Sequence, residues 1–211
     1  MQAVHVTTAF ANGFFMSLVL IVAIGAQNAY VLRQGLRREH VGAVVLFCAA
    51  GDAVLIGAGV AGMAQALNGR PMLATVLAGL GAAFLCGYGL RALWRSRQPA
   101  ALQASAQGTS LSRAAVVAQA AGFTLLNPHV YLDTVLLVGS AGAQYAGLLK
   151  VWFVVGATTA SAVWFTSLGF GARLLAPVFA RPRAWQMLDA LVGGTMLVLA
   201  AMLARRALTG L

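Results

Sequence analysis

An all-α integral membrane protein is the fold class this sequence predicts, and three observations carry it. Hydrophobic residues make up 61% of the chain and charged residues 9%, where a soluble domain has roughly a quarter charged. Apolar runs of about 20 residues, the length that crosses a hydrocarbon core, recur along the chain between short gaps bearing arginine. A body of 211 residues has too much surface for its volume to hide so much apolar side chain from water, which leaves the bilayer as its solvent. Transmembrane β-barrels use strands of about ten residues with alternating polarity, and that pattern is missing.

Six membrane-crossing helices are expected: Thr8 to Leu32, Val41 to Ala66, Met72 to Trp94, Arg113 to Gly139, Leu148 to Ala172 and Trp185 to Ala204. Met1 to Phe10 holds no Lys or Arg, so the basic start of a secretory signal is missing and the first run is read as a retained helix. Gln98 to Ser112 is polar, rich in Ala, Ser and Gln, and contains Pro99 and Gly108. It divides the chain into a first three-helix repeat (1–97), a polar linker (98–112) and a second three-helix repeat (113–211).

The halves look alike in three places, in the same order. Asn28-Ala29-Tyr30-Val31-Leu32 matches Asn127-Pro128-His129-Val130-Tyr131-Leu132. Asp52-Ala53-Val54-Leu55-Ile56 is set against Ser161-Ala162-Val163-Trp164-Phe165. Spans three and six both end on basic residues, Arg91 and Arg205-Arg206. Three spans per half is an odd number, so the two repeats are inverted relative to each other, as in many secondary transporters.

The net charge of +10 would favour nucleic-acid binding in a soluble protein. Here the arginines sit in short clusters between apolar runs, with no groove-reading motif, so nucleic acid is not an expected partner. Arg33, Arg37, Arg38, Arg91, Arg95, Arg97, Arg113, Arg173, Arg181 and Arg183 fall after spans one, three and five, against Arg70, Lys150, Arg205 and Arg206 on the other side. The positive-inside rule then places the first set in the cytoplasm and both termini outside.

Four acidic residues can be weighed singly. Glu39, beside Arg37, Arg38 and His40, reads as a solvated loop charge. Asp189 lies one turn into span six, where a carboxylate suits the positive end of the helix dipole. Asp52 is different, because it lies near the middle of span two and cannot reach water. A charge there costs about 2.5–3.5 kcal/mol on insertion scales and marks a functional site by default. Without water the neutral acid is favoured unless a cation sits alongside, which is the chemistry of a site exchanging a proton for a cation.

Asp133 follows Asn127-Pro128 in span four. Pro128 removes a backbone donor and disfavours helical geometry at Asn127. Gly25-Ala26-Gln27-Asn28 is the corresponding stretch of span one and makes a second expected break at Gly25. Non-helical backbone at membrane depth is tolerated only where protein or a water-filled cavity satisfies it, and paired interrupted helices point to a transporter site. Freed N–H groups there suit an α-carboxylate, and carbonyl oxygens with a carboxylate suit ammonium groups. His129 reads equally as a proton relay or as a hydrogen-bonded structural residue.

Other features read as packing. Ala49, Ala53, Gly57 and Ala61 form a small-residue stripe of the kind that lets helices approach. Gly87-Tyr88-Gly89 and Gly193-Gly194 invite the same reading, and Trp94, Trp152, Trp164 and Trp185 read as interfacial anchors. Cys48 and Cys86 form no CxxC or zinc spacing and read as buried, unreactive thiols. No Walker A pattern is present, and no cofactor or metal is expected.

Gly25-Ala26-Gln27-Asn28-Ala29-Tyr30-Val31-Leu32-Arg33-Gln34-Gly35-Leu36-Arg37-Arg38-Glu39-His40 resembles the first-helix signature of the LysE/ArgO family of lysine and arginine exporters. Cys48 through Asp52, Leu55-Ile56 and Gly59-Val60-Ala61-Gly62 resemble its second helix, and Asn127 through Thr134 its fourth. Homoserine and threonine exporters usually carry Gly-Pro where Gly25-Ala26 stands, which favours the basic-amino-acid branch. The resemblance covers nearly the whole chain. It implies a non-enzymatic exporter of L-arginine or L-lysine in the bacterial inner membrane, driven by the proton or electrical gradient. It also implies Asp52 and Asp133 as the cation or proton site, with Gln27, Asn28 and Asn127 as ligands at the helix breaks. A homo-oligomer is compatible with this reading. The alternatives are the same machine with another amino acid or a cation as cargo, although a cation exporter would carry more Cys, His or carboxylate ligands, and a membrane electron carrier using Cys48 and Cys86.

Overall fold

The computed structural model describes residues 2–22, 26–63, 71–97, 111–126, 130–179 and 181–209, and the regular elements among them are all helical. Helices α1 (Gln2–Val22) and α2 (Ala26–Arg37) occupy the first expected span. Helix α3 (Val41–Ala58) runs on into a π-helical turn, Gly59–Met63. Helix α4 is Pro71–Ser96 and α5 is Arg113–Leu125. A π-helical segment, Tyr131–Val138, then leads into α6 (Gly139–Ala143). Helix α7 (Gly147–Gly171) passes through a 3-10 turn, Ala172–Leu175, into α8 (Ala176–Phe179), and α9 (Pro182–Thr209) ends the described chain.

Local chemistry explains several of these boundaries. Pro71 and Pro182 open α4 and α9, where a missing N–H costs nothing. The Ser112 hydroxyl accepts from the Ala115 N–H at 3.2 Å and caps α5. Between α2 and α3 the chain turns within three residues, and both Arg38 (φ 57°) and His40 (φ 49°) take left-handed conformations there. Such backbone is uncommon outside glycine. Arg37 pairs with Glu39 at 3.1 Å across the turn, and the His40 ring meets the Leu111 carbonyl at 3.1 Å. Glu39 is therefore an ion-paired turn residue rather than a free loop charge.

Four helical stretches are long and apolar enough to cross a membrane among the described residues: Val4–Val22, Val41–Gly62, Gly147–Leu175 and Arg183–Arg205. A shorter apolar stretch covers Asp133–Ala143. The expected fourth span is thus met by two helical pieces, α5 and the Tyr131–Ala143 stretch, on either side of residues 127–129. The expected first span is likewise met by α1 and α2, on either side of residues 23–25.

Two glycine crossings hold the longest helices together. A Cβ at Gly13 would collide with the Phe153 carbonyl oxygen, and one at Gly156 with that of Phe10, so α1 and α7 touch backbone to backbone. On the far side of the bundle a Cβ at Gly193 would lie 2.9 Å from the Gly89 carbonyl oxygen, which joins α4 to α9 in the same way. In lipid, apolar side chains gain nothing by leaving their solvent, so association rests on such close contact. Gly57 of the small-residue stripe on α3 makes no such approach, because a Cβ there would meet nothing within 4 Å, whereas Ala49 of the same stripe packs against the main core. The close approach on α3 is instead at Gly59, against Val135 and Gly139.

The main core gathers Tyr30, Phe123, Phe165, Leu85 and Met196 between these pairs, and a smaller core unites Ile56, Val60, Val138, Phe153 and Ala157. Overpacking a tight contact costs about 1–3 kcal/mol. Gly13→Val is therefore expected to lower the unfolding midpoint in detergent, whereas Gly57→Ala leaves it unchanged. A thermal unfolding series on the two variants checks this.

Candidate functional site

Asp52 is 2% exposed in the middle of α3. Its Oδ2 accepts a hydrogen bond from the Ser161 hydroxyl of α7 at 2.9 Å. Ser161 is the residue that the sequence comparison sets against Asp52. Around them the site is built from four elements. Cys48, one turn before Asp52, faces Gln27 of α2 and Thr124 of α5. A Cβ at Gly51 would come 3.1 Å from the Thr124 methyl, and the Thr124 hydroxyl returns its proton to the Ala120 carbonyl at 2.9 Å.

The register of α3 places Asp52 along the second half. Gly59 meets Val135 and Gly139, Leu55 packs with Val130 and Val135, and Gly51 meets Thr124. Asp52 therefore stands at the level where α5 ends and the π-helical segment begins. Asp133 lies in that segment, half-buried and engaged with its surroundings. The Tyr131 hydroxyl donates to the Leu125 carbonyl at 2.9 Å, tying the segment back to the end of α5.

The first half carries a comparable tie. The Asn28 amide nitrogen donates to the Ile21 carbonyl near the end of α1. Its oxygen accepts from the Trp164 indole N–H at 3.1 Å. Both ends of the Asn28 amide are thus engaged in holding α2 against α1 and α7. Trp164 is correspondingly no interfacial anchor: its indole N–H is engaged by a half-buried amide of α2. Gln27 keeps an unsatisfied donor, its Nε2 having no hydrogen-bond partner among the described residues. Gly25, Asn127, Pro128 and His129 lie outside the described residues.

Asp189 departs furthest from its expected role. It is 0% exposed, and its carboxylate pairs with Arg33 of α2 and, at 3.4 Å through two nitrogens, with Arg95 of α4. The helix opens at Pro182, so Asp189 lies about two turns inside it, beyond the reach of the dipole's first turn. The guanidinium groups that a loop-charge count treats as solvated are here drawn into the bundle. Arg95 also lies 5.7 Å from the centre of the Tyr88 ring. Tyr88 stacks edge-on against Phe123 at 4.7 Å, and Tyr30 lies 4.9 Å from Phe123. An aromatic layer therefore separates the Asp189 cluster from Asp52.

No group of three His, Cys, Asp or Glu side chains placed to hold a metal ion occurs among the described residues.

Comparison with known proteins identifies the family. The family model described as LysE type translocator matches residues 18–207. The chain is 46% identical over 200 residues to "Putative amino-acid transporter YggA" of Aeromonas salmonicida, covering 93% of this chain and 96% of that one. It is 47% identical over 180 residues to "Putative amino-acid transporter Rv0488" of Mycobacterium tuberculosis, covering 85% and 89%. It is 39% identical over 203 residues to "Arginine exporter protein ArgO" of Yersinia enterocolitica, covering 94% and 97%. No solved structure is significantly similar to it. The chain belongs to the LysE type translocator family, and so to the multi-pass membrane transport proteins and not to the enzymes.

Asp52 and Ser161 are coupled if the hydrogen bond between them holds α3 to α7. A double-mutant cycle of Asp52→Asn and Ser161→Ala, read by unfolding in detergent, is expected to show an interaction of about 1–3 kcal/mol.

Proposed function

We propose that this LysE type translocator exports L-arginine and L-lysine from the cytoplasm in exchange for protons, by alternating access. The observation that carries the proposal is the buried Asp52 carboxyl, held by Ser161 where α3 of one half meets α7 of the other. A carboxyl away from water is favoured as the neutral acid, and a cationic group beside it favours the carboxylate. Proton and cationic cargo therefore compete for one group, which is what exchange requires.

Energetics favours the exchange. Moving one positive charge outward against a negative interior costs about 2.3 kcal/mol per 100 mV. One proton carried inward for each cation carried outward cancels that cost. The relative named as an arginine exporter, matched over 94% of this chain, supports the choice of cargo.

Six crossings in two inverted repeats, 1–97 and 113–211 about the linker 98–112, account for the packing. A two-fold axis between matched helices brings their matched positions face to face, as Asp52 and Ser161 are. On this reading Asp133 is the second acidic group of the site. Gln27 and Asn127 are ligands beside the breaks at Gly25 and Pro128, with His129 a relay near the second. Asn28 chiefly holds the first break through its bonds to Ile21 and Trp164. The end of the bundle carrying Arg33, Arg37 and Arg95 faces the cytoplasm, and both termini face the periplasm of the inner membrane.

Efflux of radiolabelled arginine and lysine from preloaded cells lacking their own exporter tests the proposal. The native chain is expected to accelerate efflux, and a protonophore to collapse it. Asp52→Asn is expected to abolish efflux at an unchanged level in the membrane, and Ser161→Ala to slow it about tenfold, the worth of one hydrogen bond to a charged group. Full activity of the Asp52→Asn variant would sink the proposal.

A further inference from the structure

The Asp189 cluster lies toward the arginine-bearing end of the bundle, Arg33 following about one turn after Tyr30 on α2. The cluster joins three helices from both halves: α2 through Arg33, α4 through Arg95 and α9 through Asp189. Breaking a buried ion pair strands a charge, and an apolar replacement is often no less stable, so such a group is weak evidence for stability and better attested as a registry or switch device. Its position suits a switch. Arg33 lies five residues beyond Asn28 on α2, about 7.5 Å along the axis, so the helix that borders the Asp52 site at one end is latched at the other.

The cluster is also incomplete. Two guanidinium groups share one carboxylate. Beside Arg33, Gln34 is 2% exposed and its Oε1 has no hydrogen-bond partner among the described residues. Arg33 and Arg95 carry the same guanidinium as the proposed cargo. A guanidinium that replaces Arg33 on Asp189 keeps the carboxylate paired, and the displaced Arg33 must swing out of the cluster, since a buried charge left unpaired is costly.

The geometry points to Asp189 with Arg33 and Arg95 as an ionic latch that cationic cargo opens by exchange, the cargo taking the place of Arg33 on Asp189. This rests on the export reading for the identity of the cargo but not for the existence of the latch. It makes the latch a specificity element. A planar guanidinium matches a carboxylate bidentately, an ammonium does so less well, and a neutral isostere such as citrulline cannot exchange.

Cys48, buried beside Gln27 beyond the aromatic layer, is a natural reporter. In a Cys86→Ser background it is the remaining thiol of the chain. The full-length protein in liposomes is treated with a membrane-impermeant, charged methanethiosulfonate, and the labelling rate of Cys48 is measured. Arg33→Gln/Asp189→Asn removes both partners without stranding either, and is expected to speed labelling at least about tenfold, the effect of removing roughly 1.4 kcal/mol of closure. Arg33→Lys keeps the charge and is expected to label near the native rate. L-Arginine is expected to accelerate labelling of the native chain, L-lysine less so and L-citrulline not at all, with no acceleration in the double variant.

Native-rate labelling of a monodisperse double variant, or equal acceleration by citrulline and arginine, overturns the latch. Labelling needs no net export, so the two readings fail separately. Arginine-gated labelling without efflux would remove the export reading and leave the latch, and efflux with unmoved labelling would do the reverse.

Discussion

Without water, every buried polar group must find its partner within the protein, and the contact between Asp52 and Ser161 is the case on which the rest of this structure depends. An acid in the middle of α3 would destabilise a lone membrane helix. The cost is tolerable because α7 lies close enough to donate a hydroxyl at 2.9 Å. That closeness in turn requires α7 to be held in place, which the glycine contact with α1 provides. The rest of the site follows from the same constraint: Thr124 returns its proton to its own helix, and Asn28 and Trp164 satisfy each other.

Much of this was legible in the sequence, because a bilayer simplifies the code. Long apolar runs read directly as helices, and an acid inside one reads directly as a site, so α3 and Asp52 stand out. Nothing in Ser161 announced its hydrogen bond to the acid. Asp189 and Arg33 were misplaced for a physical reason. A charge near the end of an apolar run looks the same whether it reaches water or a partner on another helix, and only packing distinguishes the two. Trp164 is a similar case, since an indole in an apolar run suits lipid headgroups and a half-buried amide on a neighbouring helix equally. Gly57 shows the converse, a small residue in a regular pattern with nothing against it, while Ala49 of the same pattern packs against the core.

Helix α2 combines these lessons in twelve residues. At its start stand Gln27 and Asn28, near its end Arg33 and Gln34, and between them Tyr30 is buried against Phe123 with its hydroxyl donated to Val116 at 2.8 Å. Polar, aromatic and ionic contacts thus follow one another along a single buried face. The helix is tied to both halves of the molecule by directional contacts, each of which has a definite made and unmade state.

The glycine crossings divide the molecule mechanically. Where backbone lies on backbone, as at Gly13 with Phe153 and at Gly89 with Gly193, there are no long side chains to re-rotate and hence little room for sliding. The pairs α1 with α7 and α4 with α9 are therefore the stiff girders of the protein. The pieces between them, α2, α5 and the π-helical segment, are shorter and are positioned by individual hydrogen bonds, an ion pair and side-chain packing. A shape change in such a body costs the rearrangement of a few bonds, with its two girders left intact.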